Sequence, residues 1–344
     1  MAKVLIFNNF LRPGQASIVT PDRSKLHQYT STGPGRWRAN PYAKAKHICF
    51  TDLLRRMMTC IMLCFRWRKY DVLIVDSSVT AMLVSLLSIF TKGHRKLVIN
   101  NFNVPRRRKG PWRRVQSLLF RRVDFFFVHS RHDIELAAEL YNIDRQRFAF
   151  TPLVRREPAA GPPSAEYLFE DGRPFILSYG GNARDYATLF KALEGAELSA
   201  VVVARPYNID GLKPPPNVRV SYNIPLEECD RLVRECRYTV FTFDGSEPSC
   251  GQISIVTSLL LGKPVICTDW MGIEDYVTDG VNGMCVRMGD AENLRAGMLE
   301  LYKDRQLHDR LSAGAREWAA RNCDISAAKS KIDNLVTTLT DPTP

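Results

Sequence analysis

Short, uninterrupted apolar runs separated by longer amphipathic segments recur along this chain and restrict what it can fold into. KVLIFN, YDVLIVD, KLVIN, DFFFVHS and RFAF in the first half lack the polar alternation of a half-exposed strand. PFILSYGG, LSAVVVAR, NVRVSYN, YTVFTFD and KPVICTD read as strands in the second. Continuously apolar strands are buried on both faces, as in parallel sheets covered by helices. The intervening segments supply helices at 46–68, 79–90, 111–121 and 132–140, then at 186–193, 226–236, 252–261, 291–302, 306–322 and 326–339. The series breaks once, between Val154 and Arg173, where REPAAGPPS interrupts the periodicity. With 344 residues there is length for two cores. The expectation is an α/β protein of two Rossmann-like doubly wound domains facing across a cleft: residues 1–156, a linker at 157–173, and residues 174–325. A last helix, 326–344, is expected to pack back on the first domain.

Charge divides the chain along the same line. Residues 1–156 carry 29 Lys and Arg against 9 Asp and Glu, whereas 157–344 carry 19 against 27. A surplus of that size on one half attracts phosphate, whether of anionic lipid, lipid pyrophosphate or nucleic acid, although any single run such as RRRKG reads equally as a solvated loop. The nine cysteines form no Cys-x-x-Cys pair. They read as reduced thiols of a cytosolic protein, with neither a disulfide scaffold nor a zinc site. MAKVLIFNNF enters a strand directly, without the apolar core of a signal peptide, and the uncharged stretch from Ser77 to Thr91 is too short to span a bilayer.

Neither half contains Gly-x-Gly-x-x-Gly or a P-loop lysine, which argues against a simple dehydrogenase or NTPase. The nearest approach to a phosphate loop is SYGGNARDY. Gly180 and Gly181 permit close backbone approach, Asn182 and Arg184 offer donors, and a helix start follows. The plainer reading is a tight βα turn with a surface arginine. A second helix start, GQISIVTSLLLGKPVICTD, opens at Gly251 and Gln252 and suits an anion or a sugar hydroxyl, or is an ordinary core helix with a solvated first turn. His129, ending DFFFVHS, and Asp76, ending YDVLIVD, stand at strand ends where cleft residues are expected. His132 follows His129 without a third ligand, so no metal site is expected.

The segment PSCGQISIVTSLLLGKPVICTDWMGIEDYVTDGVNGMCVRMGD resembles the donor-binding region of GT-B fold glycosyltransferases, specifically family 4 (group 1). The likeness lies in its Gly-x-Pro-Val turn at Gly262, Glu274 and Asp275, the Asp-Gly-x-x-Gly step from Asp279 to Gly283, and Gly289 with Asp290. SYGGNARDYATLFKAL resembles the segment whose basic residue holds the donor diphosphate. One departure stands out: the family's two glutamates eight residues apart are replaced by Ser249 and Thr257. Thr257 retains a hydroxyl for the ribose, and Glu247, Ser249, Gly251 and Gln252 are the remaining candidates for sugar and phosphate. The first domain resembles the family less; FNNFLRPGQAS leaves Asn8, Asn9 and Gly14, and KLVINNFNVP leaves Asn100, Asn101 and Asn103 as cleft candidates.

The resemblance implies a metal-independent, retaining, hexosyltransferase-like enzyme that uses a nucleotide-diphosphate sugar and no other cofactor. Arg184 would stabilise the leaving diphosphate, with Arg205 at the end of AVVVAR in second place; Asp185 would cap the helix or orient Arg184. An inverting course would need a base, and Asp76, with His129 behind it, is the carboxylate to examine. Arginine interleaved with Trp and Phe in LLRRMMTCIMLCFRWRKY and WRRVQSLLFRR suits a headgroup layer. The expected acceptor is therefore a lipid-linked or cell-envelope glycan precursor, handled by a peripheral enzyme on the cytoplasmic face of the membrane. The same 57–65 stretch reads alternatively as plain core. Two other functions stay open: glycosylation of a polyanion such as modified DNA, and a non-catalytic nucleotide-sugar or glycan-binding module. Oligomeric state leaves no signature.

Overall fold

The computed structural model describes residues 1–8, 17–18, 20–21, 26–34, 50–90, 95–104 and 110–341. It divides into two compact units, Met1–Thr151 with Ile325–Pro344, and Pro152–Asp324. Each is a six-stranded, wholly parallel sheet with helices around it, the α/β architecture expected of the strand–helix alternation.

In the first unit the strands are β1 (Lys3–Phe7), β2 (Gln28–Thr32), β3 (Val72–Val75), β4 (Lys96–Ile99), β5 (Phe125–Val128) and β6 (Phe148–Phe150), ordered β2-β1-β3-β4-β5-β6. Helices α1 (Phe50–Trp67), α2 (Ser78–Leu87), α3 (Pro111–Phe120) and α4 (Arg131–Tyr141) link successive strands. Short hydroxylic residues start two of them: Ser77 Oγ accepts from the Thr80 N–H, and Ser130 Oγ from that of His132. α4 ends on Asn142, whose φ of 51° is tolerated because Asn populates the left-handed region. The core centres on Leu5, Phe7, Leu73, Val75, Leu97, Phe102, Phe120, Phe126 and Tyr141.

The second unit contains β7 (Ile176–Tyr179), β8 (Ala200–Ala204), β9 (Val218–Tyr222), β10 (Thr239–Phe241), β11 (Val265–Thr268) and β12 (Gly283–Val286), ordered β12-β11-β10-β7-β8-β9. Its helices are α5 (Tyr186–Leu193), α6 (Pro206–Ile209), α7 (Leu226–Glu235), α8 (Gln252–Leu260), α9 (Ala291–Lys303) and α10 (Arg305–Asn322). Two apolar clusters sandwich this sheet, one with α7 and α8, the other with α5 and α9. The final helix, α11 (Ile325–Thr340), belongs to the first unit. Tyr29 donates to Asp333 at 2.7 Å, and His27 Nε2 lies 2.9 Å from Thr337 Oγ1.

The stretch read as a linker, 157–173, is instead built into the second unit, and the boundary falls at Thr151. Arg155 pairs with Asp230, its Nη1 at 2.8 Å from Oδ1. The Ser164 N–H donates to Glu228, and Leu153, Tyr167, Leu168 and Phe169 pack on the α8 side of the core. The prolines that break helical periodicity here do not prevent burial of the apolar residues around them. Two edge strands, β2 and β12, were not foreseen. QYTST is half-exposed and polar, and GMCV is short and directly follows a turn.

At Gly283 an added Cβ would press on the Val265 carbonyl oxygen and the Val277 side chain, because β11 and β12 pair there. Gly283→Ala is therefore expected to destabilise the protein by about 1–3 kcal/mol through overpacking, measured as a lower urea midpoint with an unchanged slope.

Candidate functional site

The second sheet begins in its middle, at β7. The chain runs outward through β8 and β9, then crosses back to build β10, β11 and β12 on the other side. The switch point lies between β7 and β10, and doubly wound sheets receive ligands outside the carboxyl ends of such strands. Two segments meet there: the loop 180–185 after β7, and the loop 242–251 that carries β10 into α8.

Backbone pairing fixes the first loop against the second. The Asp185 N–H donates to Thr242 O at 3.0 Å and the Asp244 N–H to Ala183 O at 3.1 Å, which makes Arg184 and Phe243 an antiparallel bridge. Ala183 is held at a φ of 48°, a left-handed conformation that its surroundings must impose on a residue with a Cβ. Asp185 caps α5, accepting from the Thr188 N–H at 3.0 Å.

Arg184 is thereby folded inward and is only 6 % exposed. Its guanidinium lies 4.7 Å from the ring centre of Phe243 and 5.3 Å from that of Phe241. It donates through Nε and Nη2 to Tyr179 O, through Nη1 to Asn182 O, and through Nη2 to Ser254 Oγ, at 3.3–3.5 Å. Every acceptor is neutral. Among the described residues no carboxylate lies within ion-pair distance of this cation. Cation–π contacts and long hydrogen bonds to neutral acceptors offset only part of the desolvation of a guanidinium.

α8 points its N-terminus at the same place. Gly251, at a φ of 88°, is the N-cap and provides no capping side chain. A Cβ there would fall 2.7 Å from Phe243 Cζ and 3.2 Å from Arg184 Nη1, and one on Gly180 would fall 2.6 Å from Arg184 Nη2. Both glycines make room for the guanidinium. The positive end of a helix and a buried arginine therefore converge, and their combined field favours a phosphate-sized anion.

The other residues singled out by sequence take different places. Asn182 is exposed on the first loop, and Gly181 packs beside Arg205, whose Nη1 donates to Asn223 Oδ1 at 2.8 Å on the open surface. Glu247 and Ser249 are half-buried in the second loop, where Trp270 Nε1 donates to Glu247 O at 2.9 Å, and Gln252 is the first residue of α8. Glu274 is exposed on the segment after β11. Thr257 requires a correction. It is fully buried two turns into α8, where its hydroxyl donates to Ile253 O at 2.7 Å and accepts from Arg155. Those contacts consume the hydroxyl expected to meet a ribose.

Several residues that carried the family resemblance secure loops. Gly262 ends α8 at a φ of 64°, Asp279 Oδ1 accepts from the Cys285 N–H at 2.8 Å, and Asp290 caps α9 through the Asn293 N–H at 3.0 Å. Sequence reasoning missed Ser254, Phe241, Phe243 and Trp270. The Phe-Thr-Phe spacing of period two was the available signal, since it places both rings on one side of a strand.

In the first unit the switch point lies between β1 and β3. Asn8 follows β1 and Asp76 follows β3, so both flank it, whereas His129 follows β5, with β4 between. His129 Nδ1 meets Thr151 O at 2.8 Å, which makes Nδ1 the protonated nitrogen. Asn100, Asn101 and Asn103 follow β4, and Asn101 Oδ1 is buried without a hydrogen-bond partner. Asn9 and Gly14 lie outside the described residues. No three His, Cys, Asp or Glu among the described residues are grouped to hold a metal ion. The eight described cysteines are free thiols.

This is the fold of GT-B glycosyltransferases. HepE of Anabaena, crystallised with UDP-glucose, superimposes with a TM-score of 0.71 at 16% identity, over 98% of this chain and 100% of that one. Sucrose-phosphate synthase from Thermosynechococcus elongatus gives 0.70 at 14% identity, over 97% and 88%. The lipopolysaccharide outer core galactosyltransferase WaaB, in its apo form, gives 0.62 at 14%, over 98% and 99%. Residues 207–318 match the family profile described as Glycosyl transferases group 1. That match includes α8 but begins after Arg184. No curated protein sequence matches the chain.

Two measurements test this description. Thr257→Val is expected to cost about 1–3 kcal/mol of stability by leaving Arg155 without one acceptor, with no loss of nucleotide affinity by calorimetry. Burial, opposed by the hydrogen bond to Thr151, lowers the His129 pKa below its ordinary 6.5. The unfolded chain therefore binds the proton first, and stability falls as pH drops below about 6.5. His129→Gln is expected to flatten that part of a stability–pH curve.

Proposed function

We propose that this chain is a glycosyltransferase that moves a sugar from a nucleotide-diphosphate donor to the hydroxyl of a lipid-linked glycan precursor at the cytoplasmic face of a membrane. One observation carries the donor half: a buried arginine with no carboxylate at ion-pair distance among the described residues, facing the uncapped N-terminus of α8 at a topological switch point. In this reading the diphosphate sits between Arg184 and α8. As the glycosidic bond breaks, negative charge grows on the leaving diphosphate, and the guanidinium and helix dipole stabilise it where other enzymes use a divalent cation. Gln252, Ser249 and Glu247 face the donor sugar, Gly180, Gly181 and Asn182 admit the phosphates, and Arg205 and Glu274 border the site. The first unit, with its surplus of Lys and Arg, takes the acceptor.

HepE was crystallised with UDP and with UDP-glucose, so uridine donors are the first to test. A ligand that binds only the folded state stabilises it by about 2.7 kcal/mol at one hundred times its Kd. UDP or UDP-sugar should accordingly raise the melting temperature more than GDP or ADP. Arg184→Ala is expected to abolish that shift and to lower turnover by roughly 10²-fold or more, with Arg184→Lys intermediate. Unchanged donor binding in Arg184→Ala would remove it from the site.

The reaction is proposed to retain anomeric configuration, which NMR of the product anomer checks directly. An inverting reaction needs a carboxylate base, for which Asp76→Asn is the test; inversion together with loss of turnover in that variant would reassign the mechanism.

A further inference from the structure

α2 leaves several aliphatic residues uncovered in water. The residues it turns toward the sheet are small and partly hydroxylic: Thr80, Ala81, Val84 and Ser85 are buried, as is Ser88 just beyond. Met82, Leu83 and Leu87 are half-buried and pack against the core. Val79 and Leu86 on the helix and Ile89 after it are exposed. Val79 and Leu86, seven residues apart, lie on one face of the helix. No residue from Ser77 to Thr91 carries charge.

The neighbouring helices continue this surface. α2 lies between α1 and α3 and touches both. α1 exposes Phe65, and α3 exposes Trp112 and Leu118; with Val79, Leu86 and Ile89 these side chains are 48–62% exposed. Cations border them. Arg68 sits 5.4 Å over the ring of Phe65, and Arg113, Arg114 and Arg121 are exposed on and after α3. Between Phe50 and Arg122 the sequence holds 16 Lys and Arg but only three acidic residues. Yet no described helix is long and apolar enough to cross a membrane.

Aliphatic and aromatic groups presented together and edged by arginine match one environment, the interface between acyl chains and anionic headgroups. A protein partner would leave the surrounding cations to be neutralised one by one, whereas an anionic bilayer supplies phosphate at every position. We propose that the outer face of the α1–α2–α3 layer docks on an anionic phospholipid bilayer. Val79, Leu86, Ile89, Trp112, Leu118 and Phe65 enter the headgroup boundary, and the flanking arginines meet lipid phosphate. This refines the lipid-linked-acceptor reading by naming the face that meets the membrane, and it rests on that reading for its purpose.

Vesicle sedimentation of the full chain tests it, with phosphatidylcholine alone compared with an equal mixture of phosphatidylcholine and phosphatidylglycerol. The parent is expected to sediment with the mixed vesicles and to release partly as salt rises. The triple variant Leu86→Gln, Ile89→Gln, Trp112→Gln should weaken partition by about tenfold or more, and so should Arg113→Glu with Arg114→Glu. All three apolar positions are exposed, so melting temperature and UDP-sugar binding should stay as in the parent. A parent that ignores anionic vesicles, or an apolar variant that partitions like the parent, overturns the proposal. So does light scattering that shows a dimer which the triple variant dissociates, since the occupant is then a second copy. UDP-sugar binding without vesicle binding rejects only the docking face, and vesicle binding without donor binding rejects only the transferase reading.

Discussion

A buried charge with no counter-charge among the described residues is the constraint around which the second unit is organised. A guanidinium in a protein interior is costly unless it is paired, and Arg184 is enclosed by two phenylalanine rings, three neutral oxygens and the end of a helix. Four local features exist to hold it there: the left-handed Ala183, the glycines at 180 and 251, and the antiparallel bridge to Phe243. Moving any of them moves the guanidinium. Backbone strain and an incompletely compensated charge are thus collected at one switch point.

The architecture was largely legible in the sequence because its cause is local. A strand buried on both faces must be continuously apolar, and most of the strands announce themselves that way. β2 escaped because an edge strand tolerates Gln, Thr and Ser, and β12 because its four residues directly follow a turn. The segment 157–173 misled for the opposite reason. Prolines and glycine suggest a tether, but Leu168 and Phe169 within it, and Arg155 just before it, find partners far away in sequence, and no local pattern reports such partners.

The site was legible in part. SYGGNARDY pointed to a loop of close approach before a helix start, and its glycines do make room there for the Arg184 and Arg205 side chains. That the arginine would fold back beneath its own loop, over Phe241 and Phe243, depends on a bridge between strands some sixty residues apart in sequence. Thr257 shows the same limit from the other side. Its spacing from the Gly262 turn made it a candidate, yet Arg155 reaches it from a segment more than a hundred residues earlier and turns a candidate ligand contact into an internal brace.

The placement of α11 bears on biosynthesis. Every strand and helix of the 152–324 unit has left the ribosome before Tyr29 and His27 meet their partners in the last sixteen-residue helix. The middle of the polypeptide is thus complete first, and the amino-terminal sheet waits with one flank uncovered until α11 has emerged. An apolar flank left open for that interval is a natural client for holdase chaperones, and a nascent chain arrested just short of Ile325 would display it permanently.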